Sequence, residues 1–327
     1  MINVKIEDIN YTLPTAEVTT EDFNKEEWLQ KNPIDYYKLI YVLFNTANNA
    51  PSGMSRDTAM EITFHMLYAV TRLYIPDVLY KFYSFSKDKE LNAKKLATLK
   101  NRQVYMSDIK DFNDPFDGKA FFYDPHKLMD IERLVAHKGR FIDDFTSFHK
   151  GTALTENDTS CMPMWAHYAN NHQGFCVSYD MTDPDNQKLS SCTFPIQYTN
   201  DRLDITSFMR KYAEMVATEV DAQLAQGQQQ IGISDKSIVY VAQYLSNIKH
   251  LTWQYEKEYR CAMGSTADGM PFASATPQAI YIGMNCSEEN RNKLVEIAKK
   301  LSVPIYQMRF NEFSESYILE ENPIDFN

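Results

Sequence analysis

"HLTWQYEKEYRCAM", residues 250–263, poses the question on which the reading of the whole chain turns. Glu256 and Glu258 stand two residues apart, among Trp253, Tyr255, Tyr259 and Arg260. Read as a strand, the segment sends both carboxylates to one face, because strand side chains alternate with a period of two. Arg260 continues that face, so Glu256, Glu258 and Arg260 form one charged row. Like charges on adjacent same-face positions repel unless a cation accompanies them. On a solvated face such a row contributes little; turned toward a cleft it shifts pKa values and marks a site.

Working outward, short β-branched and aromatic runs bounded by Gly, Pro, Asn or Asp predict strands at 78–84, 103–107, 151–156, 174–180, 192–199, 259–264, 279–284 and 303–310. Apolar residues at helical spacing predict helices at 90–100, 126–138, 163–171, 206–226, 235–250 and 288–301, the last with Ser287 as cap, acids first and lysines last. Strands interrupted by helices without a βαβ rhythm predict an α+β fold: a mixed, mostly antiparallel central sheet with flanking helices. The first ~75 residues read as all-helical, with Thr20, ahead of Glu21 and Asp22, and Ser55 as caps. The chain thus divides into a helical N-terminal segment, 1–77, and an α+β domain, 78–327. For the N-terminal helices three roles stand open, a homodimer surface, a gate over the site or padding of the fold, and periodicity does not choose among them. His65, among Phe64, Met66 and Leu67, reads as a packed or surface histidine rather than a ligand.

The formal net charge of -11 argues against a protein that wraps a nucleic-acid backbone, and the Lys94-Lys95, Lys100 and Arg102 cluster reads as a solvated helix face. There is no apolar run long enough to cross a bilayer and no charged, apolar leader, which places the chain in the cytoplasm, off the membrane. The five cysteines are scattered and never form a C-x-x-C pair, so they read as reduced thiols rather than a disulfide framework or a zinc site.

Two further stretches carry chemistry. "DFNDPFDG" (111–118) packs Asn113, Asp114, Pro115, Asp117 and Gly118 into a turn, which either closes tightly or aims a carboxylate or amide into a site. It lacks the spaced oxygens of a calcium loop. "CMPMWAHYANNHQGFCVSYD" (161–180) joins a short aromatic helix to a strand, with Gly174 as a left-handed cap. Trp165, His167, Tyr168 and His172 supply stacking surfaces and proton-transfer groups there. His167 and His172 are five apart and do not share a helix face as a metal pair would. A Cys161–His167 nucleophile pair has no supporting signature beside it. Hydrolase elbows, P-loops, dinucleotide fingerprints and H-E-x-x-H are absent. With only 10 glycines, a ligand must be held largely by side chains.

The segments "LYKFYSF", "QVYMSDIKDFNDPFDG", "MWAHYANNHQGFCVSYD", "KHLTWQYEKEYR" and "IYIGM" occur in an order that resembles the bacterial domain-of-unknown-function family 2971, from about Leu79 to about Phe310. A more distant resemblance is to ADP-ribosyltransferases: "LYKF" is similar to their first signature strand, "VYMS" to the second and "YEKEY" to the third. That resemblance implies NAD as substrate, with Tyr80 and Lys81 on the first strand, Tyr105 stacking on nicotinamide and Ser107 bracing the core. Glu258 would hold the nicotinamide ribose and steady the charge growing there, and Glu256 would orient or deprotonate the acceptor, a protein, a nucleic acid or water. Lys81 departs from the histidine or arginine usual at its position. Such chemistry suits bacterial defence or toxicity.

Two other classes stand beside this one. A metal-dependent nucleotide or nucleic-acid hydrolase would gather Asp114, Asp117, Glu258 and His167 around a divalent ion. A non-catalytic interaction or sensor module would use the same residues to lock turns and pair charges.

Overall fold

The computed structural model describes residues 2–6, 9–13, 24–142, 149–235, 237–264 and 271–326. Among them nine strands join one sheet, in the order Leu319–Pro323, Ile305–Phe310, Ala279–Ile282, Phe175–Asp180, Val78–Tyr83, His149–Thr155, Glu258–Gly264 and Thr193–Pro195, with Ser107–Asp108 also pairing onto His149–Thr155. Neighbours are antiparallel except Ala279–Ile282 with Ile305–Phe310, which are parallel and joined by the helix Glu288–Leu301. The fold is α+β, as the interrupted strand pattern predicts.

Alternation divides the sheet into two packed faces. Phe175 and Val177 point to one side with Leu79, Ile280 and Ile282, where the helices Lys89–Lys100 and Glu288–Leu301 cover them with Leu96, Leu99, Leu294 and Ile297. Cys176 points to the other side with Phe82, Tyr281 and Met308, beneath Met164 and Trp165 of the helix Met162–Tyr168. Trp165 is fully buried, its Nε1 donating to Thr159 O at 2.8 Å and its ring meeting Phe82 edge-on. The Glu288–Leu301 helix has the predicted ends: Ser287 accepts the Asn290 N–H, Glu288 and Glu289 occupy the first turn, and Lys299 and Lys300 the last. A cap of that kind is worth about 1 kcal/mol.

The N-terminal region is not all-helical: Ile2–Ile6 and Ile9–Leu13 pair as antiparallel strands, Ile2 opposite Leu13 and Ile6 opposite Ile9. Their short alternating runs are a strand pattern that the helical texture downstream masks in the sequence. Helices Lys25–Lys31, Tyr36–Asn48 and Arg56–Thr71 follow, the last with Ser55 accepting the Thr58 N–H as expected. Thr20 lies outside the described residues. Tyr36, Leu43 and Met60 from these helices share one core with Leu128, Met209, Val241, Tyr244 and Ile248. The Tyr36 hydroxyl also donates to Pro195 O at 2.7 Å, tying that core to the edge of the sheet.

Three other expectations are corrected. The 126–138 helix is a Pro125–Leu128 3-10 turn followed by the single turn Glu132–Val135. The 235–250 helix ends at Leu245, because Ser246 and Asn247 turn their side chains back onto Gln243 O; Ile248–His250 then runs as a strand parallel to Gln197–Thr199. Gly174 does not supply a left-handed cap. Asn170, Asn171 and His172 take positive φ instead, and Gly174 serves close packing: a Cβ there would lie 1.9 Å from Tyr83 O.

Candidate functional site

The two glutamates converge, although not along one strand. Leu251–Glu256 is a 3-10 turn, Lys257 is left-handed (φ 44°, ψ 51°), and the strand begins at Glu258. The Lys257 reversal, rather than β alternation, brings the carboxylates together. Thr155 fixes the turn by donating to Glu256 O at 2.6 Å, and the Glu156 N–H donates to Lys257 O at 3.1 Å. From Glu258 onward the alternation holds, so Glu258 and Arg260 do share a face.

The cation between the acids is Lys249. Its Nζ lies 2.7 Å from Glu256 Oε2 and 2.9 Å from Glu258 Oε2. Arg260, fully buried, gives Nε and Nη2 to Glu258 Oε1 at 3.0 and 2.8 Å, Nη2 to Asp117 Oδ1 at 2.9 Å and Nη1 to Ser246 O at 2.6 Å. Its guanidinium lies 4.8 Å from the centre of the Phe112 ring. The "NDPFD" turn therefore does both jobs weighed for it. Asp114 accepts the Phe116 N–H and closes the turn, while Asp117 is aimed into the cluster.

The three buried acids titrate differently because they share the cations unequally. Burial pushes the Glu258 carboxyl up, but Arg260 and Lys249 outweigh it and hold the group below its ordinary value. Burial prevails at Glu256, raising it against the pull of Lys249, and at Asp117, raising it against that of Arg260. Lys249 is desolvated too, yet Glu258 and Glu256 keep its pKa above normal. Glu258 is thus the locked member. Its Oε1 takes two N–H bonds and its Oε2 one, whereas Glu256 takes Lys249 on one oxygen and the Tyr168 hydroxyl on the other. A carboxylate has about four acceptor positions, so Glu256 keeps the more capacity for a ligand.

These groups border a pocket of ≈ 460 Å³, open mouth included, with walls from Tyr80, Phe82, Phe112 and Tyr168 and polar groups from Lys81, Asn113, Lys249, Glu256 and Glu258. It lies where Val78–Tyr83 and His149–Thr155 meet, a pair bridged at Tyr80 and Thr155. Lys81 Nζ donates to Ala153 O at 3.0 Å, and burial pulls its pKa down to about 8. Asn113 Nδ2 donates to Tyr168 OH at 3.1 Å, connecting the turn to Glu256 through the phenol.

Of the residues singled out in the sequence, Tyr80, Lys81, Asn113, Tyr168, Glu256 and Glu258 line this pocket, with Arg260 and Asp117 behind Glu258. Tyr105 and Ser107 do not line it: Tyr105 is half exposed on a separate two-stranded ribbon against Phe272, and Ser107 pairs with Gly151. The strand between those of Lys81 and Glu258 is His149–Thr155, so Thr155 occupies the middle place. Trp165 packs the core, and His167 is exposed beside Tyr255. Asp114, Asp117, Glu258 and His167 do not gather as a metal set among the described residues. Arg260 joins Asp117 to Glu258, where that reading needs a divalent ion.

Sequence reasoning missed Lys249, taken as the end of a helix, and Tyr198, whose hydroxyl accepts the Glu258 N–H at 2.8 Å. The Ser246-Asn247 pair ahead of Ile248 is the local signal that a helix stops before Lys249.

Fold and site together define an α+β protein with a buried ion network behind an aromatic-walled pocket. Residues 164–261, which carry Tyr168 and the whole 249–260 cluster, match the model of a family described as a protein of unknown function (DUF2971). Comparison with curated proteins and with solved structures gave no match. Among the described residues no helix is long and apolar enough to cross a membrane.

Proposed function

We propose that the pocket takes the nicotinamide-ribose end of a pyridine nucleotide such as NAD, and that the protein breaks its glycosidic bond, passing ADP-ribose to water or to an acceptor. The observation that carries this reading is the grouping of Lys81, Glu256 and Glu258 around one pocket with aromatic walls. The residues resemble the ADP-ribosyltransferase order on the first and third strands, with the second place moved from "VYMS" to the Thr155 strand.

The unequal pairing of the two glutamates supports exchanging the roles that the resemblance implies for them. Breaking the bond places positive charge on the ribose, and a carboxylate beside it stabilises that charge in a site shielded from water. Glu256 has the acceptor capacity to do this and to hold a ribose hydroxyl. Glu258, held by Arg260 and Lys249, keeps a second negative charge fixed behind it. Tyr80 or Phe112 offers a ring against which nicotinamide stacks.

The test is to incubate the purified protein with NAD, with and without cell lysate, and to quantify nicotinamide by chromatography. Release by the native protein that disappears in Glu256→Gln, with the fold intact by circular dichroism, supports the reading. An intact fold with no release under either condition overturns it and leaves the interaction module.

A further inference from the structure

We infer that Lys81 is a reactive amine, and that the pocket it lines takes a small aldehyde or ketone with a flat, apolar body, which Lys81 captures as an imine. The inference stands apart from the nucleotide reading, which gives Lys81 no covalent step.

Three observations lead to it. Lys249 and Arg260 are each engaged by two carboxylates, whereas no carboxylate lies within ion-pair distance of Lys81 among the described residues. Burial lowers the Lys81 pKa and outweighs Glu258, which acts from farther off and raises it; Lys95 lowers it and Cys261 raises it by less. Lys81 Nζ instead makes a neutral bond, donating to Ala153 O, beside the Tyr83 ring at 5.4 Å. A neutral amine that spends one N–H on a strand carbonyl retains its lone pair. Finally, the pocket walls are the rings of Tyr80, Phe82 and Phe112, which suit a flat body, and Glu256 stands in the same lining as a proton donor and acceptor.

The chemistry is a condensation. The Lys81 lone pair attacks the carbonyl carbon and a C–N bond forms. The carbonyl oxygen then leaves as water, carrying both amine protons in the net balance, and a C=N bond remains. Buried lysines with lowered pKa are suited to this step. With the pKa pulled from 10.5 to about 8 by burial, Lys81 holds far more neutral amine near neutral pH than an ordinary lysine, of which about one part in a thousand is neutral at pH 7.5.

The experiment treats the whole chain with pyridoxal and cyanoborohydride at pH 7.5, then maps modified lysines by peptide mass spectrometry over time. The expected result is labelling of Lys81 about tenfold faster or more than exposed Lys94, with a pH midpoint near 8 and no such fast phase in Lys81→Arg. Labelling of Lys81 no faster than Lys94, or a fast phase that survives in Lys81→Arg, overturns the inference. Because the readout is labelling, either result leaves the nicotinamide assay free to decide the nucleotide reading separately.

Discussion

Asp117 and Arg260 meet in the core across 143 residues of chain, Oδ1 to Nη2 at 2.9 Å, and so tie the "NDPFD" turn to the sheet. Arg260 is fully buried and also holds Glu258, so its removal leaves Asp117 without an ion-pair partner among the described residues and Glu258 with Lys249 alone. Breaking a buried network by deleting one partner costs about 3–5 kcal/mol. Arg260→Met is therefore expected to lose stability on that scale in urea unfolding. Asp117→Asn keeps an acceptor for Nη2 and removes a charge that burial disfavours, so its loss should be clearly smaller. Equal losses in the two variants would contradict this ordering.

The acids leave opposite marks on stability against pH. Glu258 has a lowered folded pKa, so its contribution is present above the ordinary value of 4.5 and is lost as pH falls through the lower folded value. Glu256 has a raised folded pKa, so its contribution is greatest below 4.5 and declines as pH rises through the higher folded value. Melting temperatures from pH 3 to 8 should show Glu258→Gln most harmful at neutral pH with a flatter acid limb, and Glu256→Gln flattening the limb just above 4.5. The same sign of change for both variants would refute the assignment.

Gly174 is the point where the aromatic helix returns to the sheet, and its hydrogens face a backbone that cannot yield. A Cβ there would sit 1.9 Å from Tyr83 O and 2.9 Å from Tyr83 C. Gly174→Ala is expected to cost about 4 kcal/mol or more, or to prevent folding. Gly232→Ala, with nothing within 4 Å of its Cβ, serves as the control and should stay within about 0.5 kcal/mol. Comparable soluble yield and melting temperature for both would remove the packing argument.

The fold class was legible because local signals agree with it. Ser287 caps its helix, Phe175, Cys176 and Val177 alternate between faces, and turn residues bound the strands. The site was legible in composition and wrong in geometry. A period-of-two reading of "YEKEYR" joins Glu256 to Glu258, but Lys257 at φ 44° breaks the strand between them. Convergence survives because Lys249 attracts both acids, and no spacing rule predicts a contact set by the parallel pairing of Ile248–His250 with Gln197–Thr199. Tyr105 and Ser107 show the converse error. The run that carries them follows Val78–Tyr83 in the chain with one helix between, but it splits into Gln103–Tyr105 and Ser107–Asp108, and His149–Thr155 takes the place beside Val78–Tyr83, a choice that long-range pairing makes.

Lys249 is the cation on which the pair Glu256 and Glu258 depends, and a double-mutant cycle can isolate its bond to Glu256. In Lys249→Met both acids lose their shared partner; Glu258 keeps Arg260, while Glu256 keeps only the Tyr168 hydroxyl. The single variant is expected to cost about 3–5 kcal/mol, because an uncompensated charge remains buried. Adding Glu256→Gln replaces that charge with an amide whose oxygen still accepts from Tyr168. The double variant should therefore be more stable than Lys249→Met alone, with a coupling of about 0.5–3 kcal/mol between the sites. Denaturant unfolding of the four proteins measures it. Strict additivity would mean that Glu256 takes up a proton once Lys249 is gone, and Lys249→Met would then show its full loss only above the raised pKa of Glu256.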